Sequence, residues 1–115
     1  RMISTVQILE SRTCPELHPF VQEALFALDD ASIPHRLTST GRSYVDQLRL
    51  YRTRKKRRYP VARPGHSKHQ TGLAVDLVVF KRYRKSAVQI MQENGMIWSK
   101  KDPVHFELAM VEKEL

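Results

Sequence analysis

Apolar residues at Leu17, Val21, Ala24, Leu25 and Leu28 recur at spacings of three and four, the one-sided stripe of an amphipathic helix. Thr13-Cys14-Pro15-Glu16 reads as its start, with Thr13 as cap and Glu16 reaching back to complete a capping box. The helix is expected to run to about Asp30 and to be broken by Ile33-Pro34, after which His35 to Thr40 reads as a short strand into Gly41. Ser43 is placed to cap a second helix, with Asp46 at its third position and Leu48 and Tyr51 on its apolar side. That helix should fray in the cationic residues that follow and stop before Pro60, and Pro64-Gly65 marks a loop.

The second half is more β-like. Leu73 to Phe80 is the strongest strand candidate in the chain. A third helix is expected over Ser86 to Asn94, stopped by Gly95, and Met96 to Trp98 and His105 to Met110 read as two further short strands. The expected fold class is α+β, with helices packed on a small, mostly antiparallel sheet. At 115 residues with no internal repeat or low-complexity linker, residues 1–115 are expected to form a single domain around one modest core.

Composition narrows the function classes. Apolar residues make up 41% and charged residues 28%, a globular mixture rather than a disordered one. No uninterrupted apolar run approaches the roughly 18 residues a membrane-spanning helix needs. Cys14 stands alone, which excludes an internal disulfide and a Cys-rich zinc knuckle. Lys and Arg number 20 against 12 Asp and Glu, for a net charge of +8, and the excess is concentrated. No acidic residue occurs from Gln47 to Val75, Arg54-Lys55-Lys56-Arg57-Arg58 is unbroken, and Lys81-Arg82-Tyr83-Arg84-Lys85 follows. Such a surface attracts nucleic acid, anionic lipid or an acidic cell-wall polymer. Tyr51, Tyr59 and Tyr83 interleave with these cations as in single-stranded nucleic-acid binders, and a solvated basic loop accounts for the run equally well.

Asp76 is the residue that a bland domain does not explain. It stands inside the apolar run, where a carboxylate is costly unless paired, hydrogen-bonded or bound to metal. Pairing with an arginine is one solution. His69 suggests another: it lies seven residues earlier, and Gly72 between them could turn the imidazole toward the carboxylate. His105 opens a strand after the loop Lys100 to Val104, whereas His18, His35 and His66 are expected to be exposed polar residues. His69, Asp76 and His105 would make a His-Asp-His set with one open position, the ligand inventory of a catalytic zinc at the sheet face. Asp102, three residues before His105, could stand near that metal without binding it and move a proton from water to a leaving amine.

With those residues in place the sequence resembles a zinc peptidase family. Ser67-x-His69-x-x-Gly72-x-Ala74-x-Asp76 matches its Ser-x-His-x-x-Gly-x-Ala-x-Asp signature, and Asp102-Pro103-Val104-His105-Phe106-Glu107 fits its acidic-x-x-His signature. Gly41-Arg42-Ser43 with Gln47 and Leu50-Tyr51 is similar to a third family segment, although the aromatic residue usual between Gly and Arg is missing. The likeness runs from about Leu17 to Met110, and the basic run Arg54 to Arg58 exceeds what the family normally carries. The family contains D-alanyl-D-alanine carboxypeptidases and the L-alanyl-D-glutamate endopeptidases used as phage endolysins.

The resemblance implies that His69, Asp76 and His105 bind zinc and that Asp102 is the catalytic acid/base. It implies that Arg42 holds a substrate carboxylate or the developing oxyanion, with Gln47 as a polar partner and Ser67 either orienting the ligand loop or touching substrate. The expected activity is cleavage of peptidoglycan stem peptides by an L-alanyl-D-glutamate endopeptidase; a D-alanyl-D-alanine carboxypeptidase is the alternative, and a basic nucleic-acid-binding module the alternative of another class. Arg54 to Arg58 would hold the enzyme on anionic wall polymers. Arg1-Met2-Ile3-Ser4-Thr5 lacks the apolar segment of a secretory signal, so the expectation is synthesis in a cytoplasm without a Sec signal and action at the bacterial cell wall.

Overall fold

The computed structural model describes residues 16–109. Helix α1 (Pro19–Asp30) turns the predicted stripe inward: Val21, Ala24, Leu25 and Leu28 are buried, and Leu17 packs beside them. It begins later than the capping-box pattern suggests. Thr13 lies outside the described residues, and Glu16 and Leu17 precede the helix. The cap is His18, whose Nδ1 accepts a hydrogen bond from the Phe20 amide at 3.1 Å, and Pro19 takes the first helical position, where a missing N–H costs nothing.

Strand β1 (Arg36–Ser39) and helix α2 (Tyr44–Arg52) follow. Ser43 caps α2 as expected, its Oγ accepting from the Asp46 amide at 3.1 Å. The fully buried residue of α2 is Gln47, while Leu48 and Tyr51 are only half-buried. The basic run leaves the helix at Thr53 and makes one 3-10 turn, Arg54–Lys56. Strand β2 (Ala74–Val78) is shorter than the apolar run that predicts it, and helix α3 (Arg84–Glu93) starts earlier than expected, after a 3-10 turn at Lys81–Tyr83. Strands β3 (Met96–Trp98) and β4 (His105–Leu108) complete the set; Met110 lies outside the described residues. Among the described residues no helix is long and apolar enough to cross a membrane.

The strands form one antiparallel sheet in the order β1-β2-β4-β3, giving the α+β fold the pattern predicts. Strand periodicity divides its two faces. Val75 and Leu77 of β2, Met96 of β3, and Phe106 and Leu108 of β4 pack with α1 and with Ala87 and Met91 of α3. Each large side chain buried there contributes roughly 1.5–3 kcal/mol. The intervening positions, Asp76 on β2 and His105 and Glu107 on β4, point to the other face. Asp76 and His105 are register partners, as are Asp76 and Ser39 across a β-bulge in β1.

Gly72 ends the turn Lys68–Thr71 with a left-handed φ of 75°, and a Cβ there would overlap the backbone carbonyl of Glu16. Its own carbonyl accepts from the His18 amide at 2.9 Å, so the segment leading into α1 is laid against this turn. Gly95 has a comparable φ of 85° but meets only Leu108 Cδ1, at 3.8 Å. Gly95→Ala should therefore lose about 1–2 kcal/mol, the left-handed backbone term alone. Gly72→Ala should lose clearly more, because the Glu16 backbone must move. Urea unfolding of both variants checks this, and equal midpoints would refute the close approach.

Candidate metal centre

Three separate segments deliver the predicted ligands. His69 comes from the 3-10 turn Lys68–Thr71, whose cap is Ser67: its Oγ accepts from the His69 amide at 3.3 Å. Asp76 and His105 face each other across β2 and β4. His69 Nε2 lies 3.1 Å from Asp76 Oδ1 and 3.2 Å from His105 Nδ1, and the third side, His105 Nδ1 to Asp76 Oδ1, is 3.2 Å. This near-equilateral triangle of one oxygen and two nitrogens could hold a metal ion.

The outward nitrogen of each ring is also engaged. His69 Nδ1 lies 3.0 Å from the Thr40 carbonyl oxygen, and His105 Nε2 lies 3.0 Å from Glu107 Oε1. A carbonyl oxygen only accepts, so Nδ1 of His69 donates to Thr40, which fixes the ring with Nε2 turned toward the centre. Glu107 does the same for His105 from two residues along the strand, and Lys68 Nζ holds its other oxygen at 2.9 Å. A back-side acceptor on each imidazole is the usual support of a metal-binding histidine.

The titration directions follow from these contacts. Burial pushes the Asp76 carboxyl up, but the hydrogen bonds and charge interactions with His105 and His69 together outweigh it and hold the group well below the usual carboxylate range. Burial lowers His105, yet hydrogen bonds to Asp76 and Glu107 raise it above the ordinary imidazole value. Glu107 is pushed up by burial and brought down further by Lys68 and His105. Asp102 is raised, first by burial and then by the charge of Asp76, with His105 only partly opposing. Arg42 is lowered by burial, against the pull of Asp76.

Arg42 is fixed on several sides. Its amide donates to the His69 carbonyl at 2.8 Å, Nη1 donates to Gln47 Oε1 at 2.8 Å, and Nη2 donates to Ser39 Oγ at 2.9 Å. Nη2 also stands 3.5 Å from Asp76 Oδ2. Gln47, 1% exposed, spends its Nε2 on the Ala62 carbonyl at 2.8 Å, so both ends of its amide are occupied in orienting Arg42. Asp102 is set by a turn: its carbonyl accepts from the His105 amide at 3.0 Å. Arg42, Gln47, Ser67, His69, Asp76, Asp102 and His105, all seven predicted site residues, line one cavity of about 600 Å³.

Other expectations need correction. His18 and His35 are half-buried, not exposed: His18 caps α1, and His35 Nδ1 lies 2.8 Å from the Ile33 carbonyl. His66 is exposed, as expected, and sits on the cavity wall. Glu107 and Lys68 join the site beyond the residues that the sequence marks, and Glu107 carries a signal of its own, since it stands two positions from His105 and so shares its face of the strand. The interleaved tyrosines face the chain's own cations, with the Arg54 guanidinium 4.0 Å from the Tyr51 ring and that of Arg82 4.9 Å from Tyr83.

Comparison with known proteins gives this arrangement a family. No curated protein matches the chain by sequence. The LdcB LD-carboxypeptidase structure shares 24% identity at a TM-score of 0.63, over 88% of this chain and 70% of that one. A VanY D,D-pentapeptidase from the VanB-type vancomycin-resistance cassette, solved with Zn(II), shares 17% identity at 0.60 over 90% and 82%. The L-Ala D-Glu endopeptidase ChiX of Serratia marcescens shares 20% identity at 0.65, over 97% of this chain and 100% of that one. Identities of this size show a common fold. The family model described as VanY, D-alanyl-D-alanine carboxypeptidase, matches residues 9–111, nearly the whole sequence. The chain belongs to that family of metallopeptidases acting on peptidoglycan.

Proposed function

We propose that residues 1–115 form a single zinc-dependent catalytic domain that hydrolyses an amide of peptidoglycan stem peptides, with the L-alanyl-D-glutamate bond as its target. The observation that carries the reading is the convergence of the His-Asp-His triangle, Asp102 and Arg42 on one cleft. The donor chemistry suits zinc. Ligands at 2.0–2.1 Å from a tetrahedral Zn²⁺ stand about 3.3 Å apart, close to the 3.1–3.2 Å edges found here. His69 Nε2, Asp76 Oδ1 and His105 Nδ1 would be the ligand atoms. The choice of bond is supported by the end-to-end likeness to ChiX. The family description favours the other reading, removal of a terminal D-alanine, since Arg42 serves a terminal carboxylate equally well.

When bound, zinc supplies a Lewis acid that polarises the scissile carbonyl and eases ionisation of the attacking water. Asp102, half-buried and raised in pKa, takes the proton from that water and delivers it to the departing amine. Arg42 offers its unused N–H donors to a substrate carboxylate or to the oxygen on which charge builds. Ser67 acts through the turn that carries His69, and Gln47 through the guanidinium it steers. The exposed basic run Arg54 to Arg58 holds the enzyme on anionic wall polymer, an attraction that salt weakens.

Incubating purified stem peptides with the protein, with chelator and with zinc restored, should give a chelator-sensitive product whose mass names the cut. No product from zinc-loaded protein would remove peptidoglycan hydrolysis. His69→Ala should lose bound metal and activity together. Asp102→Asn should retain the metal and lose about 10²–10⁴ in kcat, and unimpaired turnover would reject the base assignment. Glu107→Ala should weaken zinc by about 10–100-fold in a chelator competition, since His105 loses the partner that orients it; unchanged affinity would make Glu107 a bystander.

A further inference from the structure

The basic run divides at Lys56. Arg54 is turned back on α2, stacked at 4.0 Å on Tyr51 and donating to the Tyr51 carbonyl at 2.9 Å. Arg57 and Arg58 instead wall the cavity that contains the His-Asp-His triangle, Arg42 and Asp102. Arg57 is anchored there: Nε and Nη2 donate to Thr53 Oγ1 at 3.1 and 3.0 Å. That hydrogen-bonded Nε/Nη2 edge of the guanidinium is spent, and the Nη1/Nη2 edge, which can also grip a carboxylate with two parallel bonds, is left for another partner.

The other strong cations of the cleft are neutralised within the chain, Arg42 beside Asp76 and Lys68 on Glu107. Arg57 and Arg58 have no carboxylate within ion-pair distance among the described residues, and the sequence from Gln47 to Val75 contains none. Two neighbouring arginines of one cavity wall, without a counter-charge among the described residues, one anchored on Thr53 and the other over the Tyr59 ring at 5.5 Å, make a receiver for an anion that arrives with the substrate.

We propose that Arg57 and Arg58 form a subsite for a second carboxylate of the stem peptide, remote from the amide that is cut. The enzyme then prefers stem peptides whose remote carboxylates are free acids over those in which they are carboxamides. This deepens the metallopeptidase reading of the same cleft and rests on it. Non-specific attraction to the basic surface also favours the more anionic acid, but that preference would fall equally on loss of any two surface cations, whereas the subsite makes it depend on Arg57 and Arg58.

The test uses a fluorescent stem tetrapeptide and its analogue in which the carboxylates remote from the cut amide are carboxamides. Binding to zinc-loaded protein is read by anisotropy in an Asp102→Asn background, where the peptide survives, and turnover is read in the parent chain. The chain with Arg57 and Arg58 intact should bind the acid about tenfold more tightly than the amide, about 1.4 kcal/mol. Arg57→Gln/Arg58→Gln should erase the preference by weakening the acid alone, raising its KM with kcat unchanged. Lys81→Gln/Lys85→Gln, which removes the same charge from another part of the surface, should preserve it. An acid preference that is absent from the parent, survives Arg57→Gln/Arg58→Gln, or falls equally in the Lys81→Gln/Lys85→Gln control overturns the subsite. Chelator-sensitive turnover of either peptide tests the underlying reading separately, so the subsite and the peptidase assignment can each fail alone.

Discussion

The register between β2 and β4 is the constraint on which the rest depends. Asp76 opposite His105 puts one candidate ligand of each strand on the same face, with Val75, Leu77, Phe106 and Leu108 on the other. Because side chains alternate, a slip of one residue would send the carboxylate into the core and the aromatic ring into the cleft. The hydrophobic face therefore specifies the metal face. Burial of Phe106 and Leu108 against α1 and α3 and presentation of His105 and Glu107 are two consequences of one strand placement.

A second set of contacts brings the loop residues to that strand pair. Gly72 allows the chain to turn within touching distance of Glu16, and Ser67 caps the turn that carries His69. The Arg42 amide donates to the His69 carbonyl while Thr40 holds the ring, so the link between β1 and α2 grips the ligand from both its main chain and its imidazole. Leu77 N donates to the Val104 carbonyl, and the Asp102–His105 turn brings Asp102 into the wall of the cavity that holds both histidines. The signature residues are thus mostly structural in their immediate contacts. Serine, glycine and the spacing between histidine and aspartate serve to hold two nitrogens and an oxygen about one hydrogen-bond length apart.

Much of this was legible in the sequence, and the physical reason differs residue by residue. The Leu17 to Leu28 stripe and the Ser43 cap are local patterns, so they read correctly. Asp76 stood out because a charge in an apolar strand needs a partner. The start of α1 was misplaced because a histidine cap followed by proline lacks the Ser, Thr, Asp or Asn that signals a helix start. Gln47 reads as an ordinary polar helix residue; only its long-range bond to Ala62 and its grip on Arg42 explain its burial. Thr40 contributes a carbonyl from 29 residues away, for which no side-chain pattern exists. Glu107 was accessible in principle, from the two-residue period it shares with His105.

The absence of acidic residues between Gln47 and Val75 has a physical rationale once the cleft is seen whole. That segment supplies one wall of the cavity, from Leu50 through Arg57, Arg58 and Val61 to His69. A carboxylate on this wall could neutralise the arginines, or compete with Asp76 for a cation at the centre. Keeping it acid-free confines the cavity's negative charge to Asp76, Asp102 and Glu107, each with cationic or imidazole neighbours: Asp76 with the histidines and Arg42, Glu107 with His105 and Lys68, Asp102 with His105, His69 and Arg42. The cleft is consequently uneven in charge, with its acids gathered around His105 and its unpaired cations, Arg57 and Arg58, in the wall that this segment supplies. On the subsite proposal, a substrate that carries its own carboxylates would be oriented by that charge distribution before any single hydrogen bond forms.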